Sequence, residues 1–237
     1  MSGKTERPTI KVSNLSFLFD VTLPSLSANV TLPSLLANIT LPRTVIGLDC
    51  MVGVDCTDCP FQQILVDDLD EPGVKRRNKA LFSHKLNGPG LRYEIGTSLL
   101  SNDIVWISGP FLPGDWNDLS IFRQGLMHEL DEHERVEADD GYLAEAPRYV
   151  VCPKSAENIN DKDENVKKSR RRAQGRIEVL NAHIKNWKCI SNKLVCKGTP
   201  IEKLKKHEKM FVACVIIKQI SMELGYGELY ELGANYE

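Results

Sequence analysis

The chain reads as an α/β protein: a mixed sheet flanked by helices, preceded by an extended arm. Three observations carry that reading. Short runs rich in β-branched and aromatic residues recur, and two of them are joined by the turn Ser101-Asn102. Apolar residues at spacings of three and four follow in separate stretches, as amphipathic helices require. In residues 21–42, Val21-Thr22-Leu23-Pro24-Ser25-Leu26 returns as Val30-Thr31-Leu32-Pro33-Ser34-Leu35, and Ile39-Thr40-Leu41-Pro42 starts a third copy. The prolines argue against a helix or a central strand, and so few short copies do not make a solenoid. Residues 1–43 are therefore expected to be an arm and residues 44–237 the folded domain.

The elements of the domain follow in order. A first strand is expected from about Thr44 to Asp55, then a polar loop over 65–80. Leu91–Leu99 and Asp103–Ser108 form a hairpin. Gly109-Pro110 and Pro113-Gly114 break the chain. Leu119, Phe122, Leu126 and Leu130 mark a helix that Asp115 or Asn117 can cap. Val136–Asp139 and Arg148–Cys152 are short strands. Ile177, Leu180, Ile184 and Trp187 form one stripe of a helix, and residues 201–224 a last, very apolar one. The order β-β-β-α-β-β-α is that of a ribonuclease-H-like domain.

At 237 residues the domain is large enough for a sizeable core, and the 42% hydrophobic and 26% charged fractions are ordinary globular values. A net charge of −2 excludes a uniformly basic nucleic-acid binder but not a local basic patch. Seven cysteines, an odd number without framework spacing, favour reduced thiols. No run of about 20 apolar residues predicts a membrane span.

Three carboxylates sit at the ends of different elements. Asp55 ends Val52-Gly53-Val54-Asp55, Asp139 ends Val136-Glu137-Ala138-Asp139, and Glu178 lies in the helix stripe beside Ile177. Divalent cations of the Mg2+ type need several carboxylate oxygens converging on one point, and rigid strand ends with a facing helix can supply them. Asp140 competes with Asp139 for an inward orientation, because a strand alternates faces. Asp49 is a rival for the first position. Asp58 is an accessory acid or a turn residue, and Asp118, at a helix start, equally suits the helix dipole.

Four stretches then resemble the DDE-superfamily endonuclease domain of PIF/Harbinger-type transposases. They are Gly53-Val54-Asp55-Cys56-Thr57-Asp58, Gly114–Phe122 with Asp118, Asp139-Asp140-Gly141-Tyr142, and the helix carrying Glu178. The resemblance implies a ribonuclease-H-like fold and a two-metal nuclease. Its catalytic and metal-binding residues would be Asp55, Asp139 and Glu178, its cofactor Mg2+ or Mn2+, its substrate DNA and its location the nucleus. Few residues precede Asp55, and they lack a helix-turn-helix pattern, so recognition of specific DNA ends is expected to come from a separate DNA-binding partner. An oligomer is compatible with this reading. The alternative class is a catalytically inactive, transposase-derived DNA-binding or scaffold protein.

Lys167, Lys168, Arg170, Arg171, Arg172, Arg176 and Lys185 form a basic cluster around Glu178, suited to DNA phosphates or to a nuclear localisation signal. Cys56-Thr57-Asp58-Cys59 has C-x-x-C spacing, but no second pair with zinc-site spacing accompanies it. Structural thiols are the expectation, and a zinc-binding interaction module is the weaker third class.

Overall fold

The spine of the sheet is β1 (Cys50–Pro60). A computed structural model describes residues 50–67, 71, 73–131, 133–155, 164–227 and 229. The expected arm, 1–43, and Asp49 lie outside the described residues. The other strands are β2 (Leu65–Asp67), β3 (Lys75–Arg77), β4 (Phe82–Ser83), β5 (Gly88–Ser98), β6 (Ile104–Phe111), β7 (Arg135–Glu137) and β8 (Val150–Val151). The helices are α1 (Asp118–Gln124), α2 (Glu164–Lys185), α3 (Lys188–Ser191) and α4 (Pro200–Glu223).

On one side β1 pairs antiparallel with β5, and β5 pairs antiparallel with β6. On the other side β1 and β7 run parallel, as do β7 and β8. The result is a mixed sheet in the order β6-β5-β1-β7-β8, with β4 alongside the start of β5. Helices cover both faces, and the arrangement is compatible with a ribonuclease-H-like fold.

β1 runs past the expected end at Asp55 because β5 continues to pair with it as far as Pro60↔Gly90. The polar residues there have partners across the strands, such as Asp58 opposite Arg92. The expected loop over 65–80 contains instead a short exposed antiparallel ribbon, β2 with β3. The expected helix through Leu130 ends at Gln124 and resumes as a 3-10 turn at Leu126–His128. Between them Gly125 lies against Trp106, where a Cβ would come 2.9 Å from Cζ2. Asn117 is the cap, its Oδ1 accepting from Ser120 N at 2.8 Å. At α4, Thr199 and Glu202 form a reciprocal capping box.

Alternation along the strands divides the core in two. Leu91, Tyr93 and Ile95 face α2 and α4 and pack with Leu180, Ile184 and Phe211. Tyr93 stacks on Phe211 and hydrogen-bonds His207 Nδ1 at 2.8 Å. Val52, Val54 and Trp106 face the other way, toward Phe122 and Tyr142. Gly53 sets the seat of α2 on β1, since a Cβ there would lie 2.5 Å from Ile177 Cδ1.

Candidate metal centre

Pairing between β1 and β7 stops at Gly53↔Glu137. Beyond it β7 ends while β1 runs on, leaving Asp55 beside an opening past the carboxyl end of β7, the side of α/β sheets where ligands characteristically bind. Asp139 lies just past β7 and caps the 3-10 helix Asp140–Glu145, accepting from Gly141 N at 2.8 Å. Asp118 is the first residue of α1. These three elements meet, and Asp55, Asp118 and Asp139 can each offer an oxygen with all three oxygens within 4.8 Å of one another.

Two of the three expected acids are therefore together, and Asp118 stands where Glu178 was expected. Glu178 is exposed on α2 and outside this group. The reason is helix phase. Ile177 packs onto Gly53, so the next side chain is turned about 100° toward solvent. The residue one turn beyond Ile177, Asn181, reaches the site: its Nδ2 donates to Asp55 Oδ2 at 2.8 Å. Gln174 Nε2, on the same side of α2, donates to Ala138 O at 3.2 Å. Between Asp139 and Asp140 the geometry chooses Asp139, because Asp140 is occupied by Lys154 at 3.0 Å.

Asp58 is a buried strut in the sheet rather than a turn residue. Arg92 Nε and Nη2 donate to its two oxygens at 2.7 and 2.9 Å, and Ser83 Oγ donates at 2.5 Å. The third arm of the same guanidinium, Nη1, donates to Asp118 Oδ1 at 2.7 Å and to Trp116 O at 3.1 Å. Lys85, in the turn between β4 and β5, donates to Cys56 O at 3.0 Å and lies 3.4 Å from Asp118 Oδ2. Arg92, Lys85 and Asn181 carry no sequence motif of their own. Only the cross-strand register and the phase of α2 bring them in.

Burial pushes the Asp55 carboxyl up from 3.8 to about 6; Lys85 opposes this, Asp139 adds to it, and Asp118 adds a little more. Burial also disfavours the Lys85 ammonium, but Asp118, Asp55 and Asp58 outweigh it and hold its pKa above the ordinary value. Hard carboxylate oxygens gathered this closely, one of them with a pKa raised mainly by burial, are a donor set that fits a divalent cation such as Mg2+ or Mn2+.

Behind the aspartates lies a second buried carboxylate. Glu94 is fully buried; its Oε2 accepts from Trp106 Nε1 at 2.8 Å, and the Tyr142 hydroxyl also acts on the carboxylate. Burial raises its pKa from 4.5 to about 8. A carboxyl whose folded pKa is raised contributes stability below its unfolded pKa and loses it as pH rises through the folded value. Wild-type stability is therefore expected to fall by a few kcal/mol between about pH 4.5 and 8 from this group, at about 1.4 kcal/mol per pKa unit. Glu94→Gln keeps an acceptor for Trp106 and cannot ionise. Urea titrations should find the variant more stable than wild type at pH 8.5 and the gap closing toward pH 5. Parallel pH profiles for the two proteins would count against this account.

The basic cluster is divided by burial. Lys168 and Arg171 are exposed, while Lys167, Arg172 and Lys185 are half-buried. Arg170 and Arg176, also expected to meet phosphates, are buried at 3% and 2% exposure. Arg176 Nη2 instead donates to Ser101 O and Asn102 Oδ1, tying α2 to the β5–β6 turn.

The C-x-x-C pair does not converge either. On a strand a three-residue step reverses the face, so Cys56 points to Tyr142 while Cys59 lies in the core under α2 and α4. Burial pushes the Cys59 thiol up to about 12, as expected of a structural thiol. Among the described residues no helix is long and apolar enough to cross a membrane.

No curated protein and no solved structure matches this chain. The DDE superfamily endonuclease family matches residues 54–219, a span that contains Asp55, Asp118, Asp139 and Glu178. With most of its length inside that match and three of those acids gathered at one opening of the sheet, the chain belongs to the DDE superfamily endonuclease family.

Proposed function

We propose that this protein is a divalent-metal-dependent DNA endonuclease derived from a PIF/Harbinger-type transposase, acting on DNA in the nucleus. The observation that carries the reading is the convergence of Asp55, Asp118 and Asp139 inside the family match. In the reaction a water oxygen bonds to phosphorus and the bond to one deoxyribose oxygen breaks. Asp55, Asp118 and Asp139 would hold the divalent cations, two in the mechanism expected here, which when bound would supply a more acidic water and offset charge on the phosphate oxygens.

The chain's own contribution is positioning. Arg92 fixes Asp118, Asn181 fixes Asp55, and the Gly141 N–H fixes Asp139. Glu178 lies three residues before Asn181 and four after Gln174 on α2, and the family resemblance assigns it a part in the chemistry that the variant below tests. Lys167, Lys168, Arg171, Arg172 and Lys185 offer a track for the DNA backbone.

The test is nicking of supercoiled plasmid with Mg2+ or Mn2+, beside Asp139→Asn and Glu178→Gln. Nicking by wild type that is lost in both variants supports the full triad. Loss in Asp139→Asn alone leaves the site with Asp55, Asp118 and Asp139. A second reading, an inactive DNA-binding or scaffold protein, is favoured by one observation: an amide, Asn181, is the α2 side chain bonded to Asp55. Wild type that binds DNA but never nicks it with either metal would establish that reading in place of the enzyme.

A further inference from the structure

We propose that Lys85 is a substrate-contacting residue of this site: a fixed cation that opposes divalent metal at Asp118 and meets the DNA phosphate at the cleavage centre. The inference rests on the endonuclease reading and deepens it.

Lys85 projects from a tight turn over the rim of the aspartate group. Its side chain is 48% exposed and that of Asp118 only 15%, so of the pair Lys85 is the one more open to solvent. Its anchor is Cys56 O at 3.0 Å, the carbonyl next to Asp55. Its contact with Asp118 Oδ2, at 3.4 Å, is longer than the 2.7–2.9 Å usual for a charge-assisted hydrogen bond. It is an electrostatic contact that can be given up without breaking the anchor. Arg92 is arranged in the opposite way. It is buried, its three donor nitrogens are committed to Asp58, Asp118 and Trp116 O, and its charge is matched by the buried Asp58. Arg92 holds Asp118 in place, and Lys85 is the cation left over at the mouth.

Two consequences follow from that position. A divalent cation seated among Asp55, Asp118 and Asp139 shares Asp118 with the ammonium and is repelled by it. Without Lys85 the three aspartates would present their full charge to an approaching phosphate and repel it. Removing Lys85 therefore acts in opposite directions on the two ligands, tightening metal and loosening DNA. A residue that merely fastened the turn to β1 would weaken both or neither. Lys85 acts through charge alone: it forms no bond to the substrate and gives up no proton. A flexible stem with a point charge suits a cation that turns from carboxylate to phosphate.

The experiment uses the full chain with Lys85→Met, and with Lys85→Gln as a second neutral variant in case the first folds poorly. Mn2+ binding is measured by calorimetry without DNA. Binding of a fluorescent duplex is measured with Ca2+ over a range of salt concentrations. Both neutral variants should bind Mn2+ about tenfold more tightly, the effect of removing one positive charge within several ångströms of a dication. They should bind DNA more weakly, with a salt slope shallower by about one. Lys85→Arg should keep wild-type behaviour in both assays. Unchanged or weaker Mn2+ binding in the neutral variants, or unchanged DNA affinity and salt slope, would overturn the proposal. Neither arm needs strand cleavage, so a wild-type protein that fails to nick DNA refutes the endonuclease reading separately.

Discussion

Arg92→Met is expected to destabilise the protein by about 3–5 kcal/mol at pH 7, the usual cost of removing one partner of a buried ion pair. Arg92 and Asp58 face each other across β1 and β5, with side-chain exposures of 10% and 1%. Burial alone would raise the Asp58 pKa, yet the Arg92 and Ser83 hydrogen bonds bring it below 3.8. For an acid with a depressed folded pKa, the stabilisation is present above the unfolded value and is lost as pH falls through the folded one. Without Arg92, Asp58 is an uncompensated charge inside the sheet and its pKa must rise. The loss should therefore be large at pH 7 and shrink below about pH 4. Urea denaturation at both pH values measures this. Adding Asp58→Asn to Arg92→Met should recover part of the loss at pH 7. A loss independent of pH, with no recovery in the double variant, would show that Arg92 acts through its packing instead.

Asp55→Asn is expected to act in opposite directions on activity and on stability. Asp55 is half-buried on β1, and as a cation ligand it should contribute several kcal/mol to cleavage. The variant should lose about a thousandfold or more in Mg2+-dependent nicking, and the rise in melting temperature that metal gives the folded state should vanish. In metal-free buffer the sign reverses. With its pKa raised from 3.8 to about 6, Asp55 costs the folded state stability as pH climbs through that window. Asparagine carries no charge there. It can accept from the Cys56 N–H and, once the Asn181 amide turns over to present Oδ1 in place of Nδ2, donate to Asn181. The metal-free variant should melt above wild type at pH 7 and near it at pH 4. A variant that nicks DNA at the wild-type rate, or melts below wild type at pH 7 without metal, would remove Asp55 from its assigned role. Metal affinity of the wild type should likewise increase from pH 5 to 7 as the proton leaves Asp55.

By itself the sequence determined the layered α/β plan, the β5–β6 hairpin, the helices over the Ile177 stripe and after residue 200, and two of the three converging aspartates. These follow from local properties. Strand alternation, helical spacing and the residues around Asp55 and Asp139 are written along the chain, within reach of one element. Only the tertiary structure decided the rest. The break of α1 at Gly125 depends on Trp106, a residue on another element. The extension of β1 beyond Asp55 depends on β5, which gives Asp58 a partner in Arg92. The replacement of Glu178 by Asp118 among the gathered acids depends on the phase in which α2 seats Ile177 on Gly53, which turns Asn181 inward and Glu178 out. Burial, likewise, divided the basic run and sent Arg170 and Arg176 into the fold. A side chain's type states what it can bind. Where it points is set by the rotation of one element against another, and that rotation is fixed by contacts between residues far apart in the chain.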